Sequence, residues 1–321
     1  INELKQQVDT VLMKAEILTR LTYPTGGYTE FEYEAHQYGK IASRFPFSLE
    51  NSSGLAGGLR IRKLIDVEGE HEEVRRFNYT DGGQSSGILS GIPLFRTEGM
   101  IIAPQTTTMF GFPFFIDKSV DHWYDIYSER PLYILSTTDG NNVTYSLVKE
   151  IRSDGSRIEF AYTNHDSVAC SDELPAQRYE TLENTCLDDA FTSRQLFRGL
   201  LKSVKRYDSS GLLVQFENLE YAYPPGDFIR AVDWRFPCSG LVMRLSYIKL
   251  YAFHPKLFRK TVISYFDRNT SHAEITEYTY DSHRNLTEET RTSGNHTVSD
   301  VYTYPGNYPD SPIYAAMSTS G

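Results

Sequence analysis

Apolar and polar residues alternate along much of this chain, and turn-forming residues interrupt the alternation at short intervals. A period of two marks a strand with one face buried. Glu16 to Tyr23 alternates, Pro24-Thr25-Gly26-Gly27 breaks the run, and Tyr28 to Tyr33 alternates again. This predicts a hairpin. Leu59 to Leu64 and Val74 to Tyr79 predict a second around Gly69. A third runs from Tyr145 to Ile151, turns at Asp154-Gly155 and returns through Ile158, Phe160 and Tyr162. Asp-Gly between alternating runs is a strong hairpin signal. Further pairs are expected at 200–207 with 212–223 and at 273–280 with 285–291. Residues 3–14, with Leu4, Val8, Val11 and Leu12 at helical spacing, predict one short amphipathic helix. The segment 88–131 contains Pro93, Pro104, Pro113 and Pro131 and reads as irregular.

The expected hairpins share a detail. Returning strands end in aromatic-x-Tyr: Phe31-Glu32-Tyr33, Phe77-Asn78-Tyr79, Phe160-Ala161-Tyr162, Tyr221-Ala222-Tyr223, Tyr278-Thr279-Tyr280 and Tyr302-Thr303-Tyr304. Residues i and i+2 of a strand share a face, so each hairpin offers an aromatic pair to one side of a sheet. Units that each expose an apolar face must stack to bury it.

Composition supports this reading. Tyr (23) outnumbers Gly (22), and Tyr and Phe favour strands. Lys and Arg total 32 against 42 Asp and Glu, for a net charge of −10. That balance disfavours nucleic acid and anionic membranes, which both require a basic face. No apolar run reaches 18 residues, so no transmembrane helix is expected. The chain starts at Ile1, which suggests a piece of a longer or processed protein. Its three cysteines, Cys170, Cys186 and Cys238, do not form a closed disulfide framework. A single Cys170–Cys186 bridge is left open. Six Asn-x-Ser/Thr sequons, beginning at Asn51, Asn78, Asn142, Asn269, Asn285 and Asn295, are read as chance matches in Asn/Ser/Thr-rich turns.

Catalytic motifs fail on context. Gly83-Gln84-Ser85-Ser86-Gly87 has nucleophile-elbow spacing, but breakers on both sides leave no room for the helix that motif requires. His71-Glu72-Glu73 lacks a second His four residues on. No phosphate-cradling glycine motif and no metal-ligand spacing occurs, so no cofactor is expected. Acidic pairs such as Asp188-Asp189 could serve a glycosidase only if they faced one another across a cleft. One cluster invites binding: Asp121-His122-Trp123-Tyr124-Asp125-Ile126-Tyr127 joins ring surfaces to carboxylates. His122, Trp123, Tyr124 and Tyr127 are its candidate ligand-binding residues. The alternative is that Trp123 and Tyr127 pack into the core.

Tyr207-Asp208-Ser209-Ser210-Gly211-Leu212-Leu213 reads as Tyr-Asp-x-x-Gly-x-Leu. Asp first and Gly fourth suit a type I turn. This resembles the YD repeat of RHS-repeat proteins, a bacterial secreted and cell-surface family. Tyr278-x-Tyr280-Asp281-Ser282-His283-Arg284-Asn285-Leu286 resembles it again, with Arg284 where Gly is usual. The stretches 23–34 and 57–62 look like the region upstream of the repeats in large Bacteroidetes RHS-type proteins. The resemblance implies a spiralling antiparallel sheet, able to close as a shell around a cargo, with structural and not catalytic repeat residues. It implies a secreted or cell-surface location and, as partners, adjacent repeats of a longer chain. The family's Asp-Pro self-cleavage region has no match here.

The expectation is therefore an all-β protein of antiparallel hairpins in large twisted sheets, with very little helix. Residues 1–165 would form an N-terminal β domain, for which a sandwich is one arrangement, 166–196 a polar linker, and 197–321 the YD-like hairpins. The expected function is a non-catalytic structural segment of an RHS-like protein. The alternatives are a surface module binding glycan or protein through the 122–127 cluster and, more remotely, a glycoside-processing enzyme.

Overall fold

The computed structural model describes residues 8–44, 47–92, 96–109, 112–127, 138, 140–173, 191–223, 226–235, 244–266, 270–307 and 312. The fold is all-β. The strands are, in chain order, β1 (Arg20–Thr22), β2 (Tyr28–Arg44), β3 (Phe47–Glu68), β4 (His71–Asn78), β5 (Thr80–Asp81), β6 (Gln84–Ser85), β7 (Gly87–Leu89), β8 (Arg96–Met109), β9 (Phe112–Tyr127) and β10 (Val143–Tyr145). They continue as β11 (Leu147–Arg152), β12 (Arg157–Tyr162), β13 (Leu201–Tyr207), β14 (Leu213–Ala222), β15 (Phe228–Arg235), β16 (Arg244–Tyr251), β17 (Lys256–Tyr265), β18 (Ser271–Tyr280), β19 (Leu286–Ser293) and β20 (His296–Val301). Helical structure among the described residues is confined to short pieces such as the 3-10 turns Leu12–Lys14 and Gln195–Phe197. No helix among them is long and apolar enough to cross a membrane.

The chain forms two compact units. The first comprises 1–148, 162–200 and 225–254; the second comprises 149–161, 201–224 and 255–321. In the first unit the pairing order is β10-β7-β2-β3-β4, with β1 also on β2. All these pairs are antiparallel except β2 with β7. A small core of Ile41, Ala56, Leu89 and Val143 forms there, with Tyr38 and Tyr145 packed against it. Separate hairpins pair β8 with β9 and β15 with β16.

The second unit runs β11-β12-β13-β14-β17-β18-β19-β20. Buried positions are few in it. Val204 and Thr276 are buried, but β17 and β12 are half-buried along almost their whole length and all six residues of β20 are exposed. A sheet packed on one face shows buried and exposed residues in alternation. Here alternation is confined to the end of β18 and part of β13, so among the described residues the sheet is a single layer. Cross-strand contacts then carry most of the cohesion. Arg259 lies opposite Glu277 and bonds it at 2.8 Å, while Glu217 pairs with both Arg206 and Lys260. Such cross-strand pairs are the unit of sheet stabilisation.

Two devices recur at hairpin ends, and β13–β14 carries both. At the turn end, Gly211 N–H donates to Asp208 C=O, and Asp208 N–H donates to Leu212 C=O, each at 3.0 Å. Gly211 sits at φ +85°, and the pairing register shifts at Tyr207. This is a type I turn followed by a left-handed residue and a bulge. Asp208 Oδ1 accepts from the Ser210 hydroxyl and from the N–H groups of Ser210 and Leu212. The same backbone bonds recur at Tyr23–Gly27, Arg152–Ser156 and Asp281–Asn285. Gly26 and Gly155 take the left-handed position in the first two, and Arg284, at φ +68°, takes it in the last.

At the open end, a tyrosine hydroxyl donates to a backbone carbonyl on the preceding strand. Tyr79 bonds Ile61, Tyr221 bonds Leu201, Tyr280 bonds Leu257 and Tyr304 bonds Leu286, at 2.6–2.9 Å. The accepting residue is Leu or Ile each time. Registers such as Lys63 with Arg76, Ser203 with Asn218, Arg259 with Glu277 and Glu288 with Val301 put every tyrosine one position beyond its acceptor's direct partner. The clasp therefore repeats in geometry and not only in composition.

The expected hairpins form, while other details need correction. Phe31-Glu32-Tyr33 lies inside β2, not at a strand end, because β2 continues to Arg44. Its rings still stack, with centroids 6.3 Å apart. The segment 88–131 is not irregular: β8 and β9 are long paired strands. Proline is tolerated on a strand whose N–H side is unpaired and at bulges. Pro104 sits at a register shift, and Pro113, opposite Thr108, lies one pair from the end of the ladder. The expected helix 3–14 forms only as a turn at Asp9 and the exposed 3-10 turn Leu12–Lys14; residues 1–7 lie outside the described residues. Cys170 is a buried, unbridged thiol that donates to Phe197 C=O at 3.3 Å. Cys186 and Cys238 lie outside the described residues.

Candidate functional site

The first unit holds a groove of about 520 Å³ on the β2–β3 pair. It is lined by Gln37–Gly39, Asn51–Leu55 and Gly83–Ser85. The sheet register creates it. Tyr38 pairs with Gly54 and Lys40 with Asn51, so Ser52 and Ser53 together oppose Gly39. Such a bulge bends the strand and re-aims its side chains. The β6 segment then crosses close above. A Cβ on Gly39 would meet Ser85 C=O at 2.3 Å, and one on Gly54 would meet Tyr38 Oη at 2.6 Å. Only glycine allows these approaches. Ser85 Oγ ties the segment down by donating to Gln37 C=O at 2.8 Å.

The floor rests on a buried arginine. Arg60, 8% exposed, donates to Glu34 Oε1 at 2.8 Å, to Tyr145 Oη at 2.9 Å and to Gln37 Oε1 at 3.3 Å. Its guanidinium also stacks over the Tyr79 ring, 4.2 Å from the centroid. His36 Nδ1 lies 3.0 Å from Tyr145 Oη. Burial, helped by the Arg60 charge, holds His36 below its ordinary pKa. Burial pushes Tyr79 up to about 12 and raises Tyr145. The cluster is therefore neutral apart from the Arg60–Glu34 pair at mid-range pH. It orients Gln37 in one sense: arginine has only donors, so the atom facing it is the amide oxygen.

The motifs singled out in the sequence fall as follows. Ser85 lies on β6, and a turn-less passage through Ser86 leads to β7, so the strand-turn-helix of a nucleophile elbow does not form. Ser86 Oγ faces the carbonyls of Tyr79 and Leu147, and Ser85 Oγ that of Gln37, so neither hydroxyl faces a base in these contacts. His122, Trp123, Tyr124 and Tyr127 lie on β9, opposite Ile101, Met100, Gly99 and Arg96. Tyr127 is 65% exposed. The side chains of the other three lie outside the described residues. No group of three or more metal-ligating side chains occurs among the described residues. The groove escapes a reading of the sequence, although Asn51-Ser52-Ser53-Gly54, a fully polar stretch in a strand run, is its signal.

No family model matches this sequence, and no curated protein matches it.

Proposed function

We propose that this chain is a non-catalytic structural segment, a repeat-built β wall of a larger secreted or cell-surface protein of the RHS/YD type. One observation carries the reading: among the described residues the second unit is one layer of hairpins in which one turn recurs, at β11–β12, β13–β14 and β18–β19, and one tyrosine clasp recurs, at β13–β14, β17–β18 and β19–β20. Repeats of this kind contribute stability hairpin by hairpin and need neighbours to cover their apolar surface. Val298 and Val301 on β20 are 61% and 72% exposed, and β20 pairs only with β19 among the described strands. An uncovered edge strand carrying apolar residues is a template for a further strand. The occupant that fits is the next hairpin of the same chain.

The test is the intact mass of the native protein purified from its source cells, read with peptide mapping. The reading expects a species well above 36.7 kDa that contains residues 1–321. A native species near that mass would overturn it.

A further inference from the structure

The groove on β2–β3 has a chemistry that the structural reading does not use. None of its eleven lining residues is charged, although 23% of the chain is. Its polar side chains are amides and hydroxyls: Gln37, Tyr38, Asn51, Ser52, Ser53, Gln84 and Ser85. Those of Tyr38, Asn51, Ser52, Ser53 and Gln84 make no hydrogen bond within the described residues. All five residues line the one concavity, and their side-chain donors and acceptors are uncommitted among the described residues. Gln37 is different, because Arg60 holds its oxygen and leaves its N–H groups as the uncommitted donors of a groove-lining residue.

Two apolar surfaces complete the lining. Tyr38 packs on the core cluster and so has a fixed ring. Leu55 is 46% exposed. A neutral lining repels no ligand by charge but gives a phosphate or carboxylate no ion pair, and a buried anion needs one. A ligand dense in hydroxyls, with one apolar C–H face, satisfies both parts of the surface. Pockets of roughly 300–1,000 Å³ hold small ligands, which suits two or three sugar rings.

We propose that this groove binds a neutral oligosaccharide, with the amides of Gln37, Asn51 and Gln84 as the main hydrogen-bonding groups and Tyr38 as the ring platform. The inference does not depend on the wall reading, and either can fail alone.

Saturation-transfer NMR on the whole chain tests it, using maltotriose, cellotriose, chitotriose and mannotriose, with glucuronic acid and sulfated disaccharides as charged probes. Asn51 and Gln84 are exposed and make no internal hydrogen bond, so unchanged thermal melts should accompany Asn51→Ala and Gln84→Ala. At least one neutral trisaccharide should give transfer, and each variant should raise its Kd about five- to tenfold, the worth of a lost hydrogen bond. Trp123→Ala should leave that Kd unchanged. Three outcomes overturn the proposal: no transfer from any neutral trisaccharide, tighter binding of the charged probes, or binding that survives Asn51→Ala/Gln84→Ala but is lost in Trp123→Ala.

Discussion

Replacing Tyr280 by Phe removes one hydroxyl and leaves the ring in place. The structure says what that hydroxyl does: it closes the β17–β18 hairpin on Leu257 C=O at 2.8 Å. A net intramolecular hydrogen bond is worth about 0.5–1.5 kcal/mol. The carbonyl left behind is only partly buried, so water can reach it and the cost should sit near 1 kcal/mol. That corresponds to about a fivefold change in a local opening equilibrium. In a single-layer sheet the opening is local, because each hairpin is held mainly by its neighbours. Native-state hydrogen exchange resolves this directly. Amides across 257–280 should exchange about fivefold faster in Y280F, while those of β2 and β3 should not change. Tyr278, two residues earlier, makes no hydroxyl hydrogen bond within the described residues. Y278F is therefore the control and should be silent. Equal effects from the two variants, or a uniform loss of protection through the chain, would refute the clasp.

Other expectations follow from the same contacts. Gly211 and Arg284 occupy equivalent left-handed positions, at φ +85° and +68°. A non-glycine residue there costs about 1–2 kcal/mol, partly offset by the lower entropy of its unfolded chain. Gly211→Ala should thus destabilise by about 1 kcal/mol and Arg284→Gly should stabilise by somewhat less, both read by chemical denaturation. Arg60→Met strands the part-buried Glu34 carboxylate and should cost about 3 kcal/mol, the low end for a broken buried pair, because Glu34 keeps some solvent. The pH dependence has two limbs. His36 has a depressed folded pKa, so its contribution is full above about 6.5 and is lost as pH falls from there; melts of His36→Gln should be flatter between about pH 5 and 7. Tyr79 is raised to about 12, so its contribution is full below about 10 and is lost as pH climbs towards 12; Tyr79→Phe should flatten that limb.

The turns are the most legible part of the fold. Asp208, Gly211, Gly26 and Asp154-Gly155 announce themselves because a left-handed position and a local acceptor demand those residue types. Arg284 stands out for the converse reason, and the backbone adopts the same turn around it at a conformational cost. The aromatic-x-Tyr endings are visible as a pattern, but their hydroxyl bonds are not, since a clasp depends on register across two strands. Register also hides the groove. Gly39 opposite Ser52 and Ser53 is a bulge only once β2 and β3 are paired. Strands β8 and β9 read as irregular because proline argues against strands in a central position, whereas each of these strands pairs with a single neighbour.

The claim that the second unit is a wall awaiting its neighbour is tested most directly at its last described strand. Amide exchange of residues 286–301 should be compared between the 321-residue chain and the native species from source cells. Covered by a following hairpin, the β20 amides should exchange at least about tenfold more slowly in the native species. Equal exchange in both would mean that β20 is a true edge, and the structural reading would fall with it.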